Sequence, residues 1–422
     1  MKNYYVVIET QVSDFGLLPL IKAREKGYTT VFCTNRLERY SKIPSYNVVI
    51  DNVDHVLEFD TNDVDKIINE LRRNSISPIS GVITICDYSL EIVAQVAAAL
   101  NLPSLTHIAA SNCRDKLNMR EACRKNGVSV PEYLHAETLE VALQFAKKID
   151  FPVVVKPMTD SASVGVILCW SQDDVEQAFR ALNKTSSNVR GQAKRYGVLI
   201  EEYMIGPEVS VESIFVKGER FFYGVTDKSL GKHPYFVEIG DTFPSELPQM
   251  LQNNCIETSR AALNAVKHDF GVSHVELKIT KKGVMVVEIN GRVPGNEITK
   301  LVELSTGIDL LDCQVELSLG RHPKFEPTQQ NAAASVYFTS LTSGVVQQIT
   351  GLELASRVDG IVKIQVDVDT GDYVQAASSN HDILGTVVTH APTSAMARRL
   401  ADTAAIQVEF NIQPLKEVVG LE

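Results

Sequence analysis

No Cys-x-x-Cys pair, no Gly-x-Gly-x-x-Gly and no Gly-x-x-x-x-Gly-Lys-Ser/Thr occurs in the 422 residues. The first absence, with no regular cysteine spacing, argues against a disulfide framework. The second leaves dinucleotide binding unsupported after the first strand, and the third excludes a Walker A loop. The seven cysteines are odd in number and scattered (33, 86, 113, 123, 169, 255 and 313), which fits reduced thiols in a cytoplasm better than a disulfide framework. No apolar run reaches the roughly 18 residues that a membrane span needs. The start, "MKNYYVVIET", lacks the apolar core and cleavage site of a signal peptide. An excess of positive charge is missing too: net charge is −11, which argues against nucleic acid as a partner. Internal repeats and low-complexity tracts are absent.

What is present is ordinary globular composition, 44% hydrophobic and 22% charged, at a length that predicts two to four lobes. Residues 1–112 alternate strand and helix: "YYVVIET", "LLPLIKAREKG", "TTVFCTN", "DVDKIINELRRN", "GVITI" and "LEIVAQVAAALN". That alternation predicts a parallel α/β lobe. A helix is expected over 111–127, closed by Asn126-Gly127. Strands follow at "FPVVVKPM" and "YGVLIEEYM", and a strand pair at 206–227 around a Lys-Gly-Glu turn. Residues 228–248, rich in Pro, Gly and His, read as a long loop, followed by a helix at 249–268. The Pro-rich link "RHPKFEPTQQ" sets off a β-rich segment, 331–422. The domain boundaries are thus 1–112, 113–198, 199–325 and 331–422, and the fold class is mixed α/β and α+β.

The richest local signal is "VVEINGRVPG" (286–295) together with the preceding "SHVELKIT" (273–280). Alternation puts Glu288, Asn290 and Arg292 on one face, and His274, Glu276 and Lys278 on one face of the earlier strand. A three-residue connection Lys281-Lys282-Gly283, with Gly left-handed, would pair Thr280 with Val284 and Glu276 with Glu288. Opposed residues have Cβ atoms roughly 4.5–5.5 Å apart. Two carboxylates there repel unless a cation lies between them. Mg²⁺ prefers oxygen ligands and shares them with phosphates, and Asn290 adds a further oxygen. Arg292 adds a planar cation suited to phosphate or carboxylate. The alternative is a solvated surface hairpin.

Two further features concern phosphate and base. Lys156 ends the strand "PVVVK", and "MTDSASVGV" (158–166) follows, a loop whose small residues let backbone N–H groups approach phosphate oxygens. The alternative is an exposed lysine before a flexible hairpin. In "LIEEYMIGPE" (199–208), a strand leads to Glu201, its exit is apolar at Met204, and Glu208 lies seven residues beyond Glu201. The backbone at such an exit can read an adenine and a carboxylate beyond it can hold a ribose. The alternative is an edge strand with surface acids.

The order Lys116 on a helix, strand Lys156, a Ser/Gly loop, "EEYMIGPE", "VELKI" and "VEINGRVPG" resembles the ATP-grasp superfamily over essentially the whole chain. The resemblance implies an ATP-grasp fold with a Rossmann-like N-terminal lobe and a β-rich C-terminal extension. It implies ATP held between two lobes, with Lys116 and Lys156 on the α- and β-phosphates. The 159–166 loop, with Ser161, Ser163 and Gly165, would cover the β- and γ-phosphates. Glu201 and the Met204 backbone would meet adenine, Glu208 the ribose, and Glu276, Glu288 and Asn290 one or two Mg²⁺. Within the superfamily, "GVITICDYSLEIVAQVAAALNLP", "GPEVSVESIFVKGERFFYGVTDKSLGKHPYFVEIGDTFP" and "VEINGRVPGNEI" resemble L-amino-acid ligases that make dipeptides, including those of peptide-antibiotic pathways.

That resemblance implies an ADP-forming carboxylate–amine ligase acting through an acylphosphate. Arg292 would stabilise the reacting acyl group, and the Gly295-Asn296 turn would hold a substrate carboxylate. Many relatives have a second Gly where this chain has Asn296. Asp87, after the strand "GVITI", is either a ligand for a substrate amine or a helix N-cap. His233, Phe236 and Glu238, in the 227–241 loop, either line the substrate pocket or pack locally. His274 reads as a structural hydrogen-bonding group. The rival readings are an ATP-grasp carboxylase or purine-pathway ligase, and an ATP-binding module without catalysis. Small-molecule amino acids are the expected partners, with no membrane or nucleic acid; the oligomeric state is open, a homodimer being the commonest closed assembly.

Overall fold

The structure, a computed structural model, describes residues 2–414; residues 415–422 of the expected C-terminal segment lie outside the described residues. β1 (Tyr4–Ile8), β2 (Thr29–Thr34), β3 (His55–Glu58) and β4 (Ile79–Ile83) form a four-stranded sheet in the order β3-β2-β1-β4. All its pairings are parallel, as the strand–helix alternation predicts. The order reverses between β1 and β4, and such a switch point opens a crevice at the strand C-terminal ends. Glu9 and Asp87 follow those two strands.

The helix expected over 111–127 is two helices, His107–Arg114 and Lys116–Lys125. Asp115 breaks the run, because its carboxylate caps the second helix by accepting from the N–H groups of Leu117 and Asn118. This sets Lys116 at the first helical position, where its own N–H bonds the Met158 carbonyl at 2.9 Å.

β5 (Tyr133–Ala136), β6 (Val153–Lys156), β7 (Ile167–Cys169) and β8 (Val198–Glu202) make a second sheet in the order β5-β8-β6-β7. The boundary at 198/199 falls at the head of β8, but its pairing with β5 and β6 keeps this strand in the central lobe. The lobe has its own core, with Val153, Val155, Val198 and Ile200 packed against Ala142, Ala146 and Phe179.

β9 (Glu208–Val216) and β10 (Glu219–Leu230) form a hairpin whose turn residues, Lys217 and Gly218, both have positive φ (51° and 85°). Two positive-φ residues match the twist of the flanking strands. β11 (Glu238–Phe243) corrects the reading of 228–248 as one long loop: β10 runs on to Leu230, and 238–243 pairs with it. Turn-forming residues signalled the connection at 231–237 but hid the strands on either side of it. β12 (Gly271–Thr280) and β13 (Gly283–Asn290) complete this lobe.

The C-terminal segment contributes β14 (Ala332–Thr339), β15 (Gly344–Thr350), β16 (Ile361–Val366), β17 (Tyr373–Val374), β18 (Ile383–Ala391) and β19 (Glu409–Pro414). Three of them extend the large sheet, whose order is β13-β12-β9-β10-β11-β14-β18-β16. The other three form a small sheet, β17-β15-β19. The Pro-rich link therefore divides the sequence without dividing the sheet. One core also runs from Tyr5, Phe32 and Ile83 of the first lobe to Phe243, Val272, Leu301 and Val388 of the large-sheet body.

Candidate active site

The β12–β13 hairpin turns on two residues, Lys281 and Lys282, with Thr280 opposite Gly283, so the three-residue loop is not what forms. A register shift between Glu276 and Leu277 takes up one extra residue on β13, and Glu276 does face Glu288. A bulge of this kind moves every later side chain by one position. It keeps the two carboxylates opposed although the turn is shorter than the spacing predicts.

Each carboxylate spends Oε1 on a cation. Glu276 Oε1 accepts from Lys228 Nζ at 3.0 Å and lies 3.2 Å from His274 Nε2. Glu288 Oε1 accepts from Lys116 Nζ at 2.9 Å. Oε2 of each takes no hydrogen bond from the described residues, and both side chains line one cleft. Two opposed carboxylates with free oxygens form a hard-oxygen set that fits Mg²⁺. Burial works against ionisation of Glu276, but Lys228 and His274 hold its carboxyl well below the usual range. Asn290 is buried opposite His274 and does not line the cleft.

His274 is the middle of a buried chain. Its Nδ1 lies 2.9 Å from Glu212 Oε1, and Glu212 also accepts from Ser210 and Thr226, each at 2.6 Å. Burial would lower its pKa, but the hydrogen bonds to Glu212 and Glu276 win and raise it to about 9. The imidazole therefore orients Glu276, in keeping with the hydrogen-bonding role expected of it.

The same cleft gathers Lys116, Lys156, Ser163, Glu201, Met204 and Glu208. Ser161 and Gly165 belong to the loop over it. Ala162, Ser163 and Gly165 have φ of 57°, 59° and 71°, so the chain coils left-handed there. Gly165 takes that conformation without steric cost, whereas Ala162 and Ser163 carry a Cβ into it against the usual preference.

Lys156 and Glu201 sit on adjacent strands, with Lys156 Nζ 2.7 Å from Glu201 Oε2. Arg120, fully buried, grips the same carboxylate through Nε at 2.7 Å and Nη2 at 3.2 Å. Burial opposes ionisation of Glu201, yet Arg120 and Lys156 hold its pKa down at about 2. Burial lowers Lys156 to about 8 despite Glu201. Glu201 is thus occupied as the counter-ion of Lys156, and Arg120 has no motif to announce it. Its only trace in the sequence is one more basic residue on a basic helix.

Glu208 is paired with Lys278 at 3.1 Å, and burial pushes its carboxyl up against that pull. His233 does not line the cleft; its Nε2 lies 3.0 Å from the Tyr203 hydroxyl, and its ring packs edge-on with Tyr203 and Phe236. Phe236 and Tyr203 line the cleft that holds Glu276 and Glu288, so this aromatic group stands on that side.

The remaining candidates gather elsewhere. Arg292 binds Asp87 bidentately, Nε and Nη2 each 2.5 Å from a carboxylate oxygen. Burial would raise Asp87, but Arg292 holds it below its ordinary value. Asp87 starts a short 3-10 turn, Asp87–Ser89. Asn296 is left-handed at φ 50° and donates to Glu238 Oε2 at 2.7 Å. Glu238 Oε1 takes Lys228 Nζ at 2.9 Å, so the chain of contacts runs from Asn296 to Glu276. Beside Gly295 an added Cβ would come no nearer than 3.8 Å, to Gln11 Nε2.

Family models match three stretches of the chain: ATP-grasp N-terminal domain over 20–104, ATP-grasp domain over 149–300, and L-amino acid ligase C-terminal domain 2 over 336–413. The chain belongs to the ATP-grasp ligases. Among relatives of this ligase, dapdiamide A synthase of Enterobacter agglomerans is 24% identical over 97% of each chain. The L-arginine-specific L-amino acid ligase of Bacillus subtilis is 21% identical over 64% of this chain and 65% of that one. The crystal structure of an L-amino acid ligase from Bacillus licheniformis superposes with a TM-score of 0.80 at 20% identity, over 98% of this chain and 99% of that one. The ATP-grasp ligase thus shares the whole architecture with that structure, C-terminal segment included. No helix among its described residues is long and apolar enough to cross a membrane.

Proposed function

We propose that the protein joins the carboxyl group of an amino acid, or a related acid, to the amino group of an L-amino acid. The observation that carries this reading is the meeting of Lys116, Lys156, Glu276 and Glu288 in one cleft, with Arg292 two residues beyond the end of β13 at the switch point of the first lobe. A carboxylate oxygen of the acid attacks the γ-phosphorus of ATP, and the bond to the β-phosphate oxygen breaks to release ADP. The amine then attacks the acyl carbon. The C–O bond to phosphate breaks, and the nitrogen gives up its proton as the amide forms.

Glu276 and Glu288 would hold Mg²⁺, with Asn290 behind them, and the metal would supply charge neutralisation of the phosphates. Lys116 and Lys156 are placed for phosphate oxygens. With Glu201 committed to Arg120 and Lys156, adenine recognition falls to the backbone of 202–204 beside Met204, and Glu208 is placed for the ribose. The loop with Ser161, Ser163 and Gly165 covers the phosphates. Arg292 would stabilise the acylphosphate and the oxyanion, a role that preorganised charge performs best away from water. Asp87 then both orients Arg292 and offers an acceptor for a substrate amine. Gly295, Asn296 and Glu238 stand at the substrate end, whereas His233 packs against the aromatic residues of the nucleotide cleft.

Seven buried free thiols support a reducing compartment, the cytoplasm. A homodimer, the commonest closed assembly, is the proposed one. The test is ADP release with ATP, Mg²⁺ and pairs of amino acids, with mass spectrometry of the products. Amide product stoichiometric with ADP supports the ligase. ADP release that needs bicarbonate and no amino acid moves the reading to a carboxylase. Absence of turnover with every pair moves it to a silent ATP-binding module.

A further inference from the structure

The segment between β17 and β18 is more elaborate than a sheet connection requires. Asp382 Oδ2 accepts four hydrogen bonds at 2.9–3.2 Å, from the N–H and hydroxyl groups of Ser378 and Ser379. Ala377 N–H bonds the Ser340 carbonyl at 2.8 Å. Together they fix one residue, Asn380, in a set orientation. Its backbone N–H donates 3.0 Å to the Ala162 carbonyl, in the loop over the phosphate end of the cleft. Its side chain makes a matched pair with Glu238. Oδ1 accepts from the Glu238 N–H at 3.0 Å, and Nδ2 donates to Glu238 Oε1 at 3.0 Å. Glu238 in turn holds Lys228 and Asn296.

One residue of the C-terminal segment therefore bridges two lobes that face each other across the cleft. The central lobe has a core of its own and meets the rest here through hydrogen bonds, which form or break as a unit more easily than packed apolar surface. We infer that Asn380 is a positioning residue that ties closure of the 158–166 loop to the placement of Glu238 and Asn296 at the substrate end. With the loop down, Asn380 is held from both sides, and Glu238 is fixed to receive Asn296 and Lys228. With the loop lifted, Asn380 loses one anchor and Glu238 loses the rigidity of its partner. The C-terminal segment thereby makes nucleotide enclosure and ordering of the acid-binding turn one event. This rests on the ligase reading for what the turn binds, but the link between the two segments is measurable without a substrate.

The experiment follows amide hydrogen exchange in the full chain, in peptides covering 158–166 and 293–297, with and without ADP and Mg²⁺. In the wild type both peptides gain protection together. In Asn380→Ala the first peptide still gains protection and ADP affinity stays within about twofold, while the gain at 293–297 falls by about tenfold, the worth of a hydrogen bond to a charged group. Asp382→Asn, which loosens the turn but keeps Asn380, shows the same split to a smaller degree. Where the ligation assay has supplied a substrate pair, Asn380→Ala raises KM for the acid more than it lowers kcat, and ADP outruns amide. An unchanged response at 293–297 in Asn380→Ala overturns the inference. So does a loss of protection in both peptides in step with ADP affinity, because that is a general loosening. A chain that forms no amide with any pair but keeps the linked exchange response sinks the ligase reading and leaves the link standing.

Discussion

The cleft and the cluster around Arg292 and Glu238 are built differently. At the proposed nucleotide end, Lys156 and Glu201 sit on adjacent strands and neutralise one another, with Arg120 gripping the same carboxylate from a helix. At the proposed substrate end, two contacts join residues far apart in the chain, Asp87 with Arg292 across 205 positions and Asn380 with Glu238 across 142, while Lys228 meets Glu238 across only 10. In the first, strand pairing brings Lys156 beside Glu201, while Arg120 joins them from a helix 81 positions before Glu201 and Lys116 reaches Glu288 across 172. The second exists only after three lobes have met. A substrate site assembled from distant loops can change one loop at a time.

Four measurements sharpen or break this contrast. Glu288→Gln removes a carboxylate from the metal-fitting pair. Loss of metal-assisted charge stabilisation is worth several kcal/mol, so ADP release falls by about a thousandfold or more. Wild-type turnover in that variant excludes the metal assignment. Arg292→Ala acts at the other end. Amide formation falls by about 10²–10³-fold, the usual cost of losing one preorganised oxyanion partner, while nucleotide affinity is retained. A collapse of nucleotide affinity in calorimetry instead makes Arg292 a nucleotide residue and erases the distinction between the ends.

Lys156→Met comes next. Nucleotide affinity weakens by about tenfold or more through loss of one charge-assisted contact, and Arg120 remains to pair with Glu201. Unchanged affinity counts against a phosphate role for Lys156. The smallest effect is a pH dependence. With its pKa lowered to about 8 by burial, Lys156 is charged below that pH and neutral above it. Nucleotide affinity therefore declines as pH rises through about 8 in the wild type and lacks that decline in Lys156→Met. At one unit above the pKa about a tenth of the charge remains, which bounds the effect near tenfold. Stability moves oppositely in sign: burying the charged amine costs the fold below pH 8, and the cost fades between there and the ordinary lysine range. A flat affinity profile from pH 7 to 9 overturns the assignment.

Legibility followed the same divide. The order of motifs, the parallel first lobe and the opposition of Glu276 and Glu288 were readable because strand alternation and hairpin pairing act over a few residues. Even there the turn was one residue shorter than expected, and a bulge on β13 restored the pairing. Bulges are decided by sheet twist and neighbouring strands, which a single hairpin sequence does not carry. Glu201 was read as an adenine contact because the pattern places an acid there. Its partner Arg120 lies 81 positions earlier on a helix with no distinguishing motif. Asp115, which splits that helical region in two, has an N-cap signature that was legible in principle but lay inside a run of helix formers.

The sequence by itself determined the parallel first lobe and the opposition of Glu276 and Glu288, since these follow from strand alternation and turn chemistry along single elements, and the order of its motifs carried the resemblance to the superfamily. Only the tertiary structure decided which charges neutralise which. Arg292 meets Asp87, Glu238 is shared among Lys228, Asn296 and Asn380, and Arg190 of the central lobe reaches Glu9 of the first at 3.0 Å. The reason is physical. A buried charge must find a counter-charge wherever the fold brings one within about 4 Å, and nothing in the local chain says where that will be.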